Sequence, residues 1–254
     1  SLTPKEIPTG AVRYNTDSNK MEVYIGSTWM EVAVSSPNLG DSQSPAGTRG
    51  AFMGGFRDTP VNNTTFDTID YITIPTAGDA IDFGDLTVKR RPGGAVSSST
   101  RSVFWAGRKG GPLEATNVID FVTISSTGNA QDFGDNATKL QFGVAVGNAT
   151  RGVYGGGYEA SPLSDVTNSL YYITIASTGN AIEFGELSGI RTYIASNSTS
   201  TRGIWTGGSN YPTHHDSIEY VQFSSLGNAL DFGNLHSTKG YMTGSASDSH
   251  GGIS

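Results

Sequence analysis

Several short stretches of this chain carry residue types that do chemistry elsewhere. Asp82-Phe83-Gly84 is a tripeptide whose aspartate holds Mg²⁺ in protein kinases. There it acts with a glycine-rich loop, a lysine and a catalytic Asp and Asn. No His-Arg-Asp catalytic loop and no Val-Ala-Ile-Lys strand accompanies it here. Gly155-Gly156-Gly157 is not followed by the Gly-Lys-Ser/Thr of a phosphate loop. His214 and His215 are adjacent, so on a strand they point to opposite faces, and a solvent loop suits them better than a shared metal. No Gly-x-Ser-x-Gly elbow offers a supported nucleophile. The acidic set Asp85, Asp135 and Glu186 offers oxygens for Ca²⁺. Its fourth member is Asn234, and a hard cation wants six to eight oxygens. The expectation is a protein that is not an enzyme, with no cofactor and no metal site.

The elements behind these motifs explain them better. Asp-Phe-Gly returns as Asp132-Phe133-Gly134, Glu183-Phe184-Gly185 and Asp231-Phe232-Gly233, at intervals of about 50 residues. "TRGAFMGG" at 48–55 returns as "TRSVFWAG" at 100–107, "TRGVYGGG" at 150–157 and "TRGIWTGG" at 201–208. A catalytic part is needed once; a part needed in every repeat is structural. The chain therefore holds four complete repeats, 48–99, 100–149, 150–200 and 201–248, with a partial fifth at 249–254, where His250, Gly251 and Gly252 stand for Arg-Gly-x. That ending, and a start at Ser1 without a signal-peptide pattern, suggest a fragment of something longer.

Composition agrees with short strands and tight turns. Glycine is 34 of 254 residues, roughly twice the usual share, and Gly with Asn supplies the positive φ of turns. No long stretch of helical period appears. The net charge of −7, with "KRR" at 89–91 standing alone, argues against nucleic acid as a partner. Cysteine is absent, which excludes disulfides and thiolate metal sites, and no apolar run is long enough to insert in a membrane as a helix.

Each repeat reads as four strands: "GAFMGG", "IDYITI", "AIDFGDL" and "GGAVSSS" in the first, with a Gly/Asn-rich turn between the second and third. The period and the glycine pair resemble kelch repeats. That resemblance implies an all-β fold, a kelch-like β-propeller of four-stranded, ~50-residue blades. The large Phe of each repeat is expected to fill the space between blades. The arginines Arg49, Arg101, Arg151 and Arg202 keep the same beat as Asp82, Asp132, Glu183 and Asp231. Each arginine is expected to bridge to one of these carboxylates.

Residues 1–34 lie outside the repeat. "AVRYN", "KMEVYI" and "TWMEVAV" read as a small β-meander for attachment or oligomerisation, followed by a Ser/Pro/Gly linker at 35–47. Gly10, Arg13, Tyr14, Asn15, Thr16, Asp17, Asn19, Glu22, Tyr24, Gly26 and Trp29 make this segment resemble a short module common in bacteriophage tail-fibre and other virion structural proteins. The repeats resemble arrays in tail-fibre-like proteins of phages of marine cyanobacteria.

Together these resemblances imply a virion structural protein of tail-fibre type, extracellular, working with other virion proteins as a homo-oligomer, a trimer by family analogy. Its repeats would display loops to a host-surface glycan or protein. Those loops, after the glycine strands, differ while the framework repeats. Arg57, Arg108, Lys109, Tyr158 and Tyr211 are the candidate recognition residues there. Two other functions fit the sequence: a secreted carbohydrate-binding or glycan-active propeller, and a purely structural spacer.

Overall fold

The structure, a computed structural model, describes residues 7–16, 20–31, 48–57, 64–110, 114–161, 165–242 and 244–246. The expected linker at 35–47 and partial fifth repeat at 249–254 lie outside the described residues. The chain divides into two compact units, Ser1–Asn38 and Leu39–Ser254. The described residues are all-β, with 22 strands in antiparallel sheets and no helix. None of the sheets closes on itself.

The first unit holds the expected meander, Val12–Asn15, Lys20–Ile25 and Thr28–Glu31. Strand alternation divides its residues between two faces. On one face Arg13 Nε donates to Glu22 at 2.7 Å and the guanidinium lies over Trp29, whose ring meets Tyr24 edge-on. Asn15 also donates to Glu22, and the two donors hold that carboxyl below its ordinary value. The other face carries Val12, Tyr14, Met21, Ile25 and Met30, all exposed.

The second unit is built from the repeats. Sheet one comprises Arg49–Arg57, Thr64–Thr73 and Ile81–Asp85. Sheet two runs Arg91–Ser97, Arg101–Arg108, Ala115–Thr123 and Gln131–Gln141. Sheet three has Val144–Gly147, Arg151–Gly155, Ser169–Thr174 and Ile182–Glu186. Sheet four has Ala195–Ser198, Arg202–Thr206, Ser217–Gln222 and Leu230–Asn234. Two further strands, Tyr158–Ser161 and Asp165–Val166, extend sheet two to six. Ser209–Asn210 and Thr213–His214 form a small hairpin.

The sheets are out of phase with the sequence repeats. The small-residue strand expected as the fourth of its own repeat pairs instead with the first strand of the next: Val96 lies opposite Val103, Val146 opposite Val153 and Asn197 opposite Ile204. Only a short "SSST"-type turn separates these strands, which favours a hairpin between repeats over a long return within one. Among the described residues sheet one has no small-residue strand of its own. The small-residue strands pack on one another from sheet to sheet, where an added Cβ on Gly94 would fall 2.8 Å from Ala145 N. They border a cavity of about 630 Å³ lined by residues of all four sheets, among them Ala51, Val96, Ala145 and Ser196.

Neighbouring sheets are joined by one junction used three times. The Gly-Asn turn of each repeat docks on the Asp-Phe-Gly strand of the repeat before it. Gly128 N donates to Phe83 O at 2.7 Å, Ala130 N to Asp85 O at 2.8 Å, and Asn129 Oδ1 accepts from Asp85 N at 3.1 Å. Asn180 and Asn228 repeat the pattern on Asp135 and Glu186. The glycine of Asp-Phe-Gly makes room for this approach: at φ +145°, a Cβ on Gly134 would fall 2.5 Å from Gly179 O. It also sits at a register shift in its sheet.

The phenylalanine beside it fills the junction, as expected for three repeats. Phe83 packs with Phe104, Phe133 with Tyr154 and Phe184 with Trp205, each in a buried cluster. Each such ring contributes about 1.5–3 kcal/mol of apolar burial. The fourth differs: Phe232 is 54% exposed where its counterparts are 2–3% exposed.

Candidate recognition surface

Strand direction sorts the repeat's connections between two ends of the sheets. At one end lie the turns that repeat, "STGNA" and "SSST" and their equivalents. At the other lie the loops after the glycine strands and the links into the small-residue strands. The first end is uniform because it makes the junctions; the second is free to vary.

The variable end holds all five candidate recognition residues. Arg57 closes its strand, exposed, with its guanidinium over Phe66. Arg108 is half-buried at a strand end, and Lys109 is exposed beside it with its N–H on Glu114 O. Tyr158 is half-buried in a strand added to sheet two, opposite Gln141. Tyr211 is the most open large side chain here, 81% exposed at the turn of the small hairpin. Parts of these loops, at 58–63, 111–113 and 162–164, lie outside the described residues.

Beside them runs a row of rings that sequence reading missed. Phe142, Tyr193 and Tyr241 each occupy left-handed backbone, at φ 62°, 53° and 54°, at about 1–2 kcal/mol each for a side chain with a Cβ. Successive centroids are 5.1 and 4.9 Å apart, and His214 meets Tyr241 edge-on at 6.1 Å. Backbone bonds tie the row, Tyr193 N to Phe142 O at 3.1 Å and Met242 N to Tyr193 O at 3.0 Å. The rings lean on one another at 31° and 37°, and Tyr241 at the end of the row and Tyr211 nearby are exposed. The signal was available: each member lies nine residues after the Phe of its repeat, 133 to 142, 184 to 193 and 232 to 241.

The expected arginine–carboxylate bridges are not formed. Arg49, Arg101 and Arg151 reach the next sheet, but to backbone carbonyls: Ile124 O at 2.7 Å, Ile175 O and Ala176 O at 3.1 and 2.9 Å, and Phe223 O. Each also lies over an aromatic ring of its own sheet, Tyr71, Phe121 and Tyr172, and Arg202 lies over Tyr220. The acidic partners face their own strand instead. Asp82, Asp132 and Asp231 accept from the N–H of Gly84, Gly134 and Gly233, and Glu183 is exposed. Alternation puts each arginine on the face of Tyr71, Phe121, Tyr172 or Tyr220, while each acidic residue lies opposite the neighbouring position, Asp70, Asp120, Tyr171 or Glu219, on the other face, which their shared beat in sequence did not reveal.

Two buried ion pairs stand elsewhere, at the junctions between neighbouring sheets. Arg90 Nη1 meets Asp120 Oδ2 at 2.8 Å with both side chains wholly buried, and Thr87 donates to the same carboxylate from Oγ1 at 2.6 Å and from its N–H at 3.2 Å. Burial lowers the Arg90 pKa and Asp120 partly restores it. Arg191 and Glu219 form the equivalent pair, with Ser188 in the place of Thr87. The junction between sheets two and three carries Ala137, Leu140 and Tyr171 at the same three positions, with Leu140 and Tyr171 buried.

Asp85, Asp135 and Glu186 are exposed on three different sheets. Among the described residues no three His, Cys, Asp or Glu side chains gather as metal ligands. Comparison with protein-family models and with curated proteins gives no match.

Proposed function

We propose that this chain is a virion structural protein of tail-fibre type whose repeats form a kelch-like propeller and bind a host-surface glycan with the variable end of the sheets. One observation carries the reading: side chains and loops that differ between repeats gather at one end, while the other end repeats to make junctions. A rigid frame presenting variable loops is the arrangement of a binding module. The small-residue strands around a common cavity support the propeller reading. Tyr241 and Tyr211 supply apolar ring surface with a hydroxyl at its edge, suited to the mixed polar and apolar faces of a sugar. The exposed apolar face of the meander (Val12, Tyr14, Met21, Ile25, Met30) supports its role in oligomerisation. Oligomerisation would raise weak single-site binding through multivalency.

The test is glycan-array binding of the intact chain and of Tyr211→Ala and Tyr241→Ala. Binding that both substitutions weaken, with folding unchanged, supports the reading. Absence of binding to any array glycan refutes the receptor role and favours a spacer. Antibody to this chain should decorate tails or fibres on whole phage particles; labelling of bacterial culture fluid alone would favour a secreted propeller.

A further inference from the structure

The two outer sheets of the repeat unit each present half of the junction that the interior makes three times, and the halves match. Phe232 on sheet four is 54% exposed, and Phe52 on sheet one is 55% exposed. Phe52 occupies the position of Phe104, Tyr154 and Trp205, the rings that cover Phe83, Phe133 and Phe184 inside. Gly233, at φ +136°, has nothing within 4 Å of an added Cβ, whereas Gly84, Gly134 and Gly185 each lie against a docked turn.

The polar residues at these two ends differ from the interior in a paired way. Inside, the turn asparagine's Oδ1 accepts from the backbone N–H of an acidic residue on the strand: Asn129 from Asp85, Asn180 from Asp135, Asn228 from Glu186. At the ends the types are exchanged: the turn of sheet one carries Asp79 and the strand of sheet four carries Asn234. The Asp79 carboxylate can then accept from the Asn234 backbone N–H, as Asn129 Oδ1 accepts from Asp85 N–H, without a second carboxylate on the strand residue. At the ion-pair position sheet four offers Lys239 and sheet one offers Asp70, in the places of Arg90 and Asp120. Both are exposed, and neither has an ion-pair partner among the described residues. His236 stands where Thr87 and Ser188 donate to the carboxylate.

A strand is also matched. Among the described residues, sheet one has no small-residue strand beside Arg49–Arg57. Beyond sheet four, Ser245 donates to Ser196 O, as Ser196 donates to Ala145 O, so residues 244–246 continue the row of small-residue strands. They pair with no sheet among the described residues.

We infer that sheet four of one copy docks on sheet one of a second copy, head to tail, through the same junction that joins the sheets within a chain. The occupant is another copy because the two open halves complement each other, Phe232 with Phe52, Asn234 with Asp79 and Lys239 with Asp70; a chain closed on itself would bury Phe52 and Phe232 together. The contact is heterologous, so a joined pair keeps one free half of each kind, which either takes up further copies or closes into a ring.

Sedimentation of the intact chain over a concentration series tests this. The expected result is association that grows with concentration, weakened about tenfold or more by Asp70→Lys or by Lys239→Asp. Mixing those two variants should restore association, because sheet four of each then meets an opposite charge on sheet one of the other, and the two alternate. Gly233→Ala should block association, while Gly227→Ala, equally strained at φ +146° with open space around it, should not. A monomer at every concentration overturns the inference. So does association insensitive to Asp70 and Lys239, which would place it in the meander. Rescue only when both charge reversals lie on one monomeric chain would show self-closure, and also overturns it.

Discussion

Replacing Arg90 by leucine tests whether the junctions are interchangeable solutions to one packing problem. Asp120 is wholly buried and takes a charge-assisted bond from Arg90 and two bonds from Thr87. Removing the guanidinium leaves an uncompensated carboxylate at a site with no water contact, at a cost of about 3–5 kcal/mol. At ~2–4 °C per kcal/mol for a chain of this size, melting should fall by roughly 6–20 °C. The next junction shows how the same three positions are filled without charge: Ala137, Leu140 and Tyr171. The triple variant Thr87→Ala, Arg90→Leu, Asp120→Tyr therefore copies a combination this fold already uses. It should recover most of the loss, with a coupling of at least about 2 kcal/mol relative to the single changes. Differential scanning calorimetry and urea unfolding of the single and triple variants measure this. A triple variant no more stable than Arg90→Leu would refute the interchangeability, and an Arg90→Leu cost under about 1 kcal/mol would refute the burial argument.

Gly134→Ala should destabilise far more than Gly233→Ala in the monomer by thermal unfolding, because only the first drives a Cβ into a docked turn. Arg151→Lys should cost about 1 kcal/mol, since an ammonium cannot both lie flat over Tyr172 and reach Phe223 O. His215 is held below its ordinary value of 6.5, first by burial and then by Arg191, with Glu219 and Asp216 opposing and His214 adding to the lowering. Its folded state thus favours the neutral ring. The stability that follows is present above that ordinary value and is lost as pH falls below it, so His215→Asn should flatten melting temperature against pH between about 7 and 5.

The sequence by itself determined the repeat, the all-β class and the role of the recurring phenylalanine, because a side chain needed in every unit must return at one phase. It also marked Gly84, Gly134 and Gly185 as places of close approach, since a bulge that admits another backbone excludes a Cβ. It located the variable loops, because a frame that repeats leaves its differences where nothing must dock. The phase of the sheets came only from the fold: period alone does not say whether "GGAVSSS" ends one sheet or begins the next, and hydrogen bonding to the following hairpin partner decides it. The partners of Arg49, Arg101 and Arg151 were likewise hidden, because a carbonyl acceptor leaves no residue type to read. Arg90 with Asp120 and Arg191 with Glu219 stand 30 and 28 residues apart, and only packing of one sheet on the next brings them together. The tertiary structure alone separated Phe232 from Phe83, Phe133 and Phe184: four residues alike in sequence differ because three have a following sheet to cover them and the fourth faces outward.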